Sequence, residues 1–174
     1  MAKISLPFSC CPEKAIAFFA KFSESFGQIA SIYKQIIQKL ESETGKSVKG
    51  DQIVSLIGEG VVAAFLGGEV VPSEGSEIDV MVDGKRISVK TRKGTGGGWK
   101  QTGTIATNNN DAVDYLAFVH LHDDYSLDKI WVFPWDNLLA AGRIRPKKVY
   151  NQPRAYIFTL SPGRDSDYLL YPPN

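Results

Sequence analysis

Hydrophobic spacing changes once along this chain, near Gly67-Gly68, and that change restricts the folds open to it. Before it, apolar residues recur every three or four positions. The segment "EKAIAFFAKFSESFG" behind Pro12 has helical spacing, and Gly27 reads as its stop. "QIASIYKQIIQKLESETG" places Ile29, Ile32, Tyr33, Ile36, Ile37 and Leu40 on one stripe that ends at Gly45. A third helix follows in "GDQIVSLIGEGVVAAFLGG", with Asp51 as N-cap and Ile53, Leu56, Ile57, Val61, Ala64 and Phe65 facing a core. After Gly68 the runs are short, rich in Val, Ile and aromatics, and bounded by turn residues: "EVVP", "EIDVMV", "RISVKT", "DYLAFVHLH" and "KIWVFPW". These are strand signals. "PWDNLLAAG" reads as a short helix begun at Asp136, and "RAYIFTL" and "DYLLYPP" as late strands. Helices first, then a mainly antiparallel meander with returning helices, predicts an α/β or α+β domain.

The 174 residues suffice for one domain with a proper core and are few for two. The expected division is a helical part over 1–49, a central region over 50–140 and a basic C-terminal segment over 141–174. No apolar run approaches the roughly 18 residues that span a bilayer, and Pro12, Glu13 and Lys14 interrupt the N-terminal apolar stretch where a secretory signal would need continuity. Cys10 and Cys11, the only cysteines, make no disulfide framework, so the expected setting is reducing and cytoplasmic.

Net charge is only +1, but its distribution is uneven. From Gly84 to Asn110 there is no acid, and six basic residues: Lys85, Arg86, Lys90, Arg92, Lys93 and Lys100. From Asn137 to Arg164 there is again no acid, and six more: Arg143, Arg145, Lys147, Lys148, Arg154 and Arg164. Charge segregated in this way can build a positive face on a nearly neutral protein, as a nucleic-acid partner requires. Two solvated surfaces that never meet would give the same letters.

"EIDVMVDGKRISVKTRK" carries the most specific information. A two-residue Asp83-Gly84 loop calls for a type I′ turn, which fixes the strand register. Val82 then faces Lys85, Met81 faces Arg86, Val80 faces Ile87, Asp79 faces Ser88 and Glu77 faces Lys90. Ile78, Val80, Val82, Ile87 and Val89 cover the core side, and Glu77, Asp79, Ser88 and Lys90 share the other. Cross-strand ion pairs on a solvent face are the plain alternative. Against that reading stand Glu59 on a Gly-Glu-Gly step of the third helix and the glycine-rich "GTGGGWKQTGT" behind Lys90.

These residues resemble the PD-(D/E)xK nuclease superfamily, the restriction-endonuclease-like fold. The resemblance spans Gly58 to Leu138. It rests on an acid on a helix (Glu59), then "AAFLGGEVVPSEGSEIDVMV" leading to an acid near a strand end (Asp79), a short turn, and a strand ending "SVK" at Lys90. It implies a central mixed sheet flanked by helices, and metal-dependent hydrolysis of DNA phosphodiester bonds. By the same resemblance Asp79, the Val89 backbone carbonyl and Glu59 would hold Mg2+ or Mn2+, and Lys90 would stabilise charge on the phosphoryl group. The family pattern has Asp or Glu where this chain has Ser88, so Glu59 or Glu77 would replace that acid, the site would bind one metal, or the module would bind nucleic acid without cutting. A homodimer on double-stranded DNA, with the N-terminal helices as interface and no organic cofactor, completes the expectation. A protein-interaction domain with a solvated hairpin face is the reading from another class.

The remaining basic and loop residues are assigned to the nucleic acid. Arg92, Lys93, Trp99, Lys100, Gln101 and Thr104 would line a substrate loop, and Arg143, Arg145, Lys147 and Lys148 a second backbone clamp. The glycine-rich stretch lacks the Gly-Lys-Ser/Thr ending of a Walker loop. His120 and His122 in "HLHDD" have no third or fourth ligand at usable spacing, so a strand running into a polar turn is preferred to a metal site. Trp131, Phe133 and Trp135 are expected in the core.

Overall fold

The computed structural model describes residues 6–44, 52–71, 78–94, 101–106, 113–147 and 155–172. Helix α1 (Pro12–Thr44) runs as one rod of 33 residues, where two helices broken at Gly27 were expected. The reason lies in the spacing. Phe19, Phe22, Phe26, Ile29 and Tyr33 keep one phase across the glycine, so a continuous helix preserves one apolar face. Gly27 costs such a helix only about 1 kcal/mol relative to alanine. Cys11 immediately precedes α1, its carbonyl accepting the amides of Lys14 and Ala15, and its own amide donates to Phe65 O at 2.7 Å. That bond ties α1 to the end of α2 (Gln52–Leu66).

The strands follow as β1 (Glu69–Val70), β2 (Val80–Val82), β3 (Lys85–Lys93), β4 (Gln101–Ala106), β5 (Tyr115–Leu121), β6 (Leu127–Pro134), β7 (Ile144–Lys147), β8 (Ala155–Leu160) and β9 (Leu169–Tyr171), with α3 (Trp135–Ala140) between β6 and β7. Six of them form one sheet in the order β1-β2-β3-β5-β6-β9, and β4-β8-β7 form a second. The meander is not wholly antiparallel: β3 and β5 run parallel over seven residue pairs, from Ile87↔Tyr115 to Lys93↔Leu121. The chain is therefore α+β with a mixed central sheet and helices.

Both faces of that sheet are buried. Val80, Val82, Ile87, Val89, Ala117, Val119, Leu121, Ile130 and Val132 pack with α1 and α2. Leu116, Phe118, Trp131 and Phe133 pack on the opposite side with Trp135, Leu138, Ile144, Phe158 and Leu160. This two-sided burial explains why β5 reads as a nearly unbroken apolar run. It also places Trp131, Phe133 and Trp135 in the core, as expected from the sequence. No helix among the described residues is long and apolar enough to cross a membrane.

Candidate functional site

The β2–β3 hairpin forms with the register its turn letters dictate: Val82↔Lys85, Met81↔Arg86 and Val80↔Ile87. Asp83 and Gly84 both take positive φ, at 47° and 75°, as the type I′ turn demands. Regular pairing stops at Val80. Beyond it the Asp79 amide donates to Ile87 O, and the Val71 amide donates to Asp79 O, both at 3.0 Å. The Asp79 side chain then enters the ladder itself. Its Oδ2 accepts the Val89 amide at 2.6 Å and the Ser88 hydroxyl at 3.2 Å. Lys90 Nζ lies 3.9 Å from the same oxygen. Among the described residues every recorded contact of this carboxylate falls on Oδ2.

Ser88 departs from a solvent-face reading of the hairpin. Lys90 and Asp79 are partly exposed, whereas Ser88 is 0% exposed. The β3–β5 pairing sets it beside Leu116, on the face that the second layer covers. A charged side chain there would need a partner to offset its desolvation. The serine hydroxyl instead donates to Asp79 and is satisfied.

Glu59 reaches this group from α2. Burial pushes its carboxyl above the usual carboxylate range, the negative charge of Asp79 pushes it further, and Lys90 opposes both. The structure thus joins Asp79, Ser88, Val89 and Lys90 by direct contacts, with Glu59 near enough to feel the charges of Asp79 and Lys90. The glycines flanking Glu59 explain how α2 comes so close. A Cβ on Gly58 would overlap Thr91 Oγ1, with Thr91 Cβ and Cγ2 also near, at 2.8 and 2.9 Å. A Cβ on Gly60 would meet the Phe18 ring of α1. Thr91 is β-branched and stiff, so rotation cannot clear the space. Gly58→Ala is expected to lift α2 from β3 and destabilise the fold by about 1–3 kcal/mol, measured by urea unfolding. Adding Thr91→Ala, which removes Oγ1 and Cγ2, should recover part of that loss.

The other assigned residues divide. Arg92 follows Lys90 on the same face of β3, paired with His120 of β5. Lys93 lies on the opposite face, its Nζ 4.0 Å from the Tyr125 ring centroid. Arg143 turns inward: Nη1 and Nη2 donate to the two carboxylate oxygens of Asp165 at 2.6 and 3.0 Å, and Nη2 also to Thr159 O at 3.1 Å. Its guanidinium is held within the fold rather than presented as a clamp. Gln101 and Thr104 belong to strand β4, not to a loop. Their side chains lie outside the described residues, as do those of Arg145 and Lys147 in β7. Glu77, Trp99, Lys100 and Lys148 lie outside them entirely.

Sequence reasoning missed two acids that take up charge. Asp114 Oδ2 accepts the Arg86 amide at 2.8 Å and Arg86 Nε at 3.2 Å. Burial raises the Asp114 carboxyl, but the Arg86 hydrogen bonds and charge outweigh it and hold the group below its usual range. Asp128 accepts from Lys129 Nζ and lies 2.7 Å from His120 Nδ1, while His120 Nε2 lies 3.1 Å from Gly94 O. The buried His120 is thus an internal fastener between β5, β6 and the end of β3. The Arg86–Asp114 pair joins residues far apart in sequence, while Asp128 meets His120 across the β5–β6 turn and Lys129 next to it. Among the described residues no three His, Cys, Asp or Glu side chains are grouped to hold a metal ion. Neither a protein-family model nor a curated protein sequence matches the chain.

Proposed function

We propose that this chain is a divalent-metal-dependent nuclease acting on double-stranded DNA, with the restriction-type architecture its sequence resembles. One observation carries the reading: Glu59 on α2, Asp79 at the head of β2 and Lys90 on β3 converge on one electrostatically coupled patch. A Glu59 carboxyl whose ionisation is opposed by the charge of Asp79 fits a cation, and Mg2+ or Mn2+ accepts such oxygen ligands. Asp79 and Glu59, with the Val89 carbonyl, are the groups that would hold it. The chemistry supplied by such an ion is Lewis acidity toward a phosphate and a water made more acidic. The chain's own residues do the rest. The Val89 amide and Ser88 hydroxyl fix the Asp79 carboxylate through Oδ2. Lys90 offers a positive charge beside it for a phosphoryl oxygen. Arg92, next on the same face of β3, extends that charge along the strand.

The buried Ser88 favours a second reading. Its hydroxyl is committed to Asp79, so the site holds one acid fewer than the family pattern, as a module that binds nucleic acid without cutting it would. Incubation with plasmid and Mg2+ or Mn2+, beside an EDTA control, separates the two. Metal-dependent nicking or linearisation supports the nuclease. Salt-sensitive binding without cleavage supports the module. Neither result would sink both and leave a protein-interaction domain. Cutting both strands calls for two copies, and α1 exposes Ile29 and Ile32 at 47% and 58%. Light scattering that finds only monomer, with and without DNA, would remove that part.

Glu59 gives a pH test. Its folded carboxyl titrates above the ordinary value, so the native state binds the proton more tightly than the unfolded chain does. The sign follows: ionised Glu59 opposes folding, and stability falls as pH rises from the ordinary glutamate range through the elevated one. Glu59→Gln is therefore expected to melt higher than the parent at pH 7–8, the advantage vanishing near pH 4. Mg2+ should raise the melting temperature of the parent and not of Glu59→Gln. Calorimetry across pH, with and without Mg2+, checks both.

A further inference from the structure

A cavity of about 530 Å3 lies between the first turns of α1 and the β5–β6 turn, lined by residues that include Ile16, Phe19, Glu24, Asp124, Tyr125 and Tyr171. None of these belongs to the Glu59–Asp79–Lys90 group. The volume falls in the range of small-molecule sites, which are mostly apolar with a few placed polar groups. Here the apolar part is Ile16, Ala20 and Leu127 with three aromatic side chains, and the charged part is one carboxylate on each wall, Glu24 from α1 and Asp124 from the turn. Asp124 stays ionised: the hydroxyl and amide of Ser126 donate to its Oδ1 at 2.6 and 2.9 Å and hold the carboxyl below its usual range. Lys93 stands over the Tyr125 ring. Among the described lining residues the charged side chains are the Glu24 and Asp124 carboxylates, so the lining is acidic.

Tyr125 adds an independent observation. It is buried to 5% exposure and holds φ at 67°. A bulky residue in the left-handed region is a true outlier, and such conformations persist where the surroundings impose them, often at ligand sites. This backbone turns the tyrosine ring into the cavity wall beneath Lys93. An aromatic wall and opposed carboxylates share one kind of complement, a cation on an apolar body.

We infer that the cavity between α1 and the β5–β6 turn is a binding site for a small organic ammonium ion with a flat apolar body. The site stands apart from the nuclease reading, and its test involves no cleavage. Three indole probes differ only in charge: tryptamine, its neutral counterpart tryptophol, and anionic indole-3-propionate. Titration followed by 15N–1H NMR is expected to shift the amides of Tyr125, Ser126 and Leu127 with tryptamine. Tryptophol should bind more weakly by on the order of 10-fold, the value of one charge-assisted contact, and the propionate should not bind. Glu24→Gln combined with Asp124→Asn keeps an acceptor for Ser126 and should erase the preference for the cation. Ile16→Trp, at a position already 52% exposed, should fill the cavity and abolish binding without loss of fold. Equal affinity for tryptamine and tryptophol, shifts confined to other surfaces, or no binding of tryptamine would each overturn the assignment.

Discussion

Under the proposed nuclease function, Lys90→Ala is expected to slow metal-dependent DNA cleavage by about 10²–10³-fold, the usual loss when one preorganised charge is removed from a reacting phosphoryl or acyl centre. Its stability should change little. The Lys90–Asp79 separation of 3.9 Å is long for an ion pair, and both groups retain solvent, so the pair contributes at most about 1 kcal/mol. Asp79 separates charge from geometry. In Asp79→Asn the side-chain oxygen can still accept the Val89 amide, so the strand end keeps its hydrogen bond while the negative charge is gone. Cleavage should fall as far as in Lys90→Ala, with the fold intact. In Asp79→Ala the Val89 amide and the buried Ser88 hydroxyl lose their acceptor as well, and an added loss of about 1–3 kcal/mol is expected. Single-turnover cleavage and urea unfolding on all three variants check the set. Full activity in Asp79→Asn would remove the carboxylate from the mechanism.

The second large effect is on stability alone. Asp165 is 0% exposed and accepts from both terminal guanidinium nitrogens of Arg143 together with the Ser161 amide at 2.7 Å. Arg143 also lies against the Phe158 ring, 5.2 Å from its centroid. Asp165→Ala would leave a largely buried cation and a backbone donor without their acceptor. Breaking such a pair from one side costs about 3–5 kcal/mol, a large share of the 5–15 kcal/mol typical of a domain. The melting temperature should fall by on the order of 10 °C. Asp165→Leu with Arg143→Met should recover much of the loss, because no charge is then stranded. The same measurement decides what Arg143 does. If it contacts DNA instead, Arg143→Met will weaken binding and leave the melting temperature alone.

The local sequence determined a good deal. The Asp83-Gly84 turn specified the hairpin register, because only a type I′ turn suits two residues at positive φ between strands. That register brought Asp79, Ser88 and Lys90 together on paper, and the hydrophobic period separated helices from strands near Gly68. Where the local rule failed, a longer pattern overrode it. Gly27 looked like a helix stop, but the apolar phase across it favoured one rod. The acid-free segments looked like two sets of available cations, yet Arg86 and Arg143 are held by Asp114 and Asp165.

Only the tertiary structure decided those pairings, since each joins residues separated by about 20 or more positions and depends on how strands cross between layers. It decided, too, that β3 and β5 run parallel, a choice set by where the intervening chain goes rather than by any letter within the two strands. Ser88 shows the division most clearly. Its position in the hairpin followed from the turn. Its role followed from burial: a second layer covers that face, and a hydroxyl that donates to Asp79 is satisfied there at a depth where an unpaired carboxylate would not be.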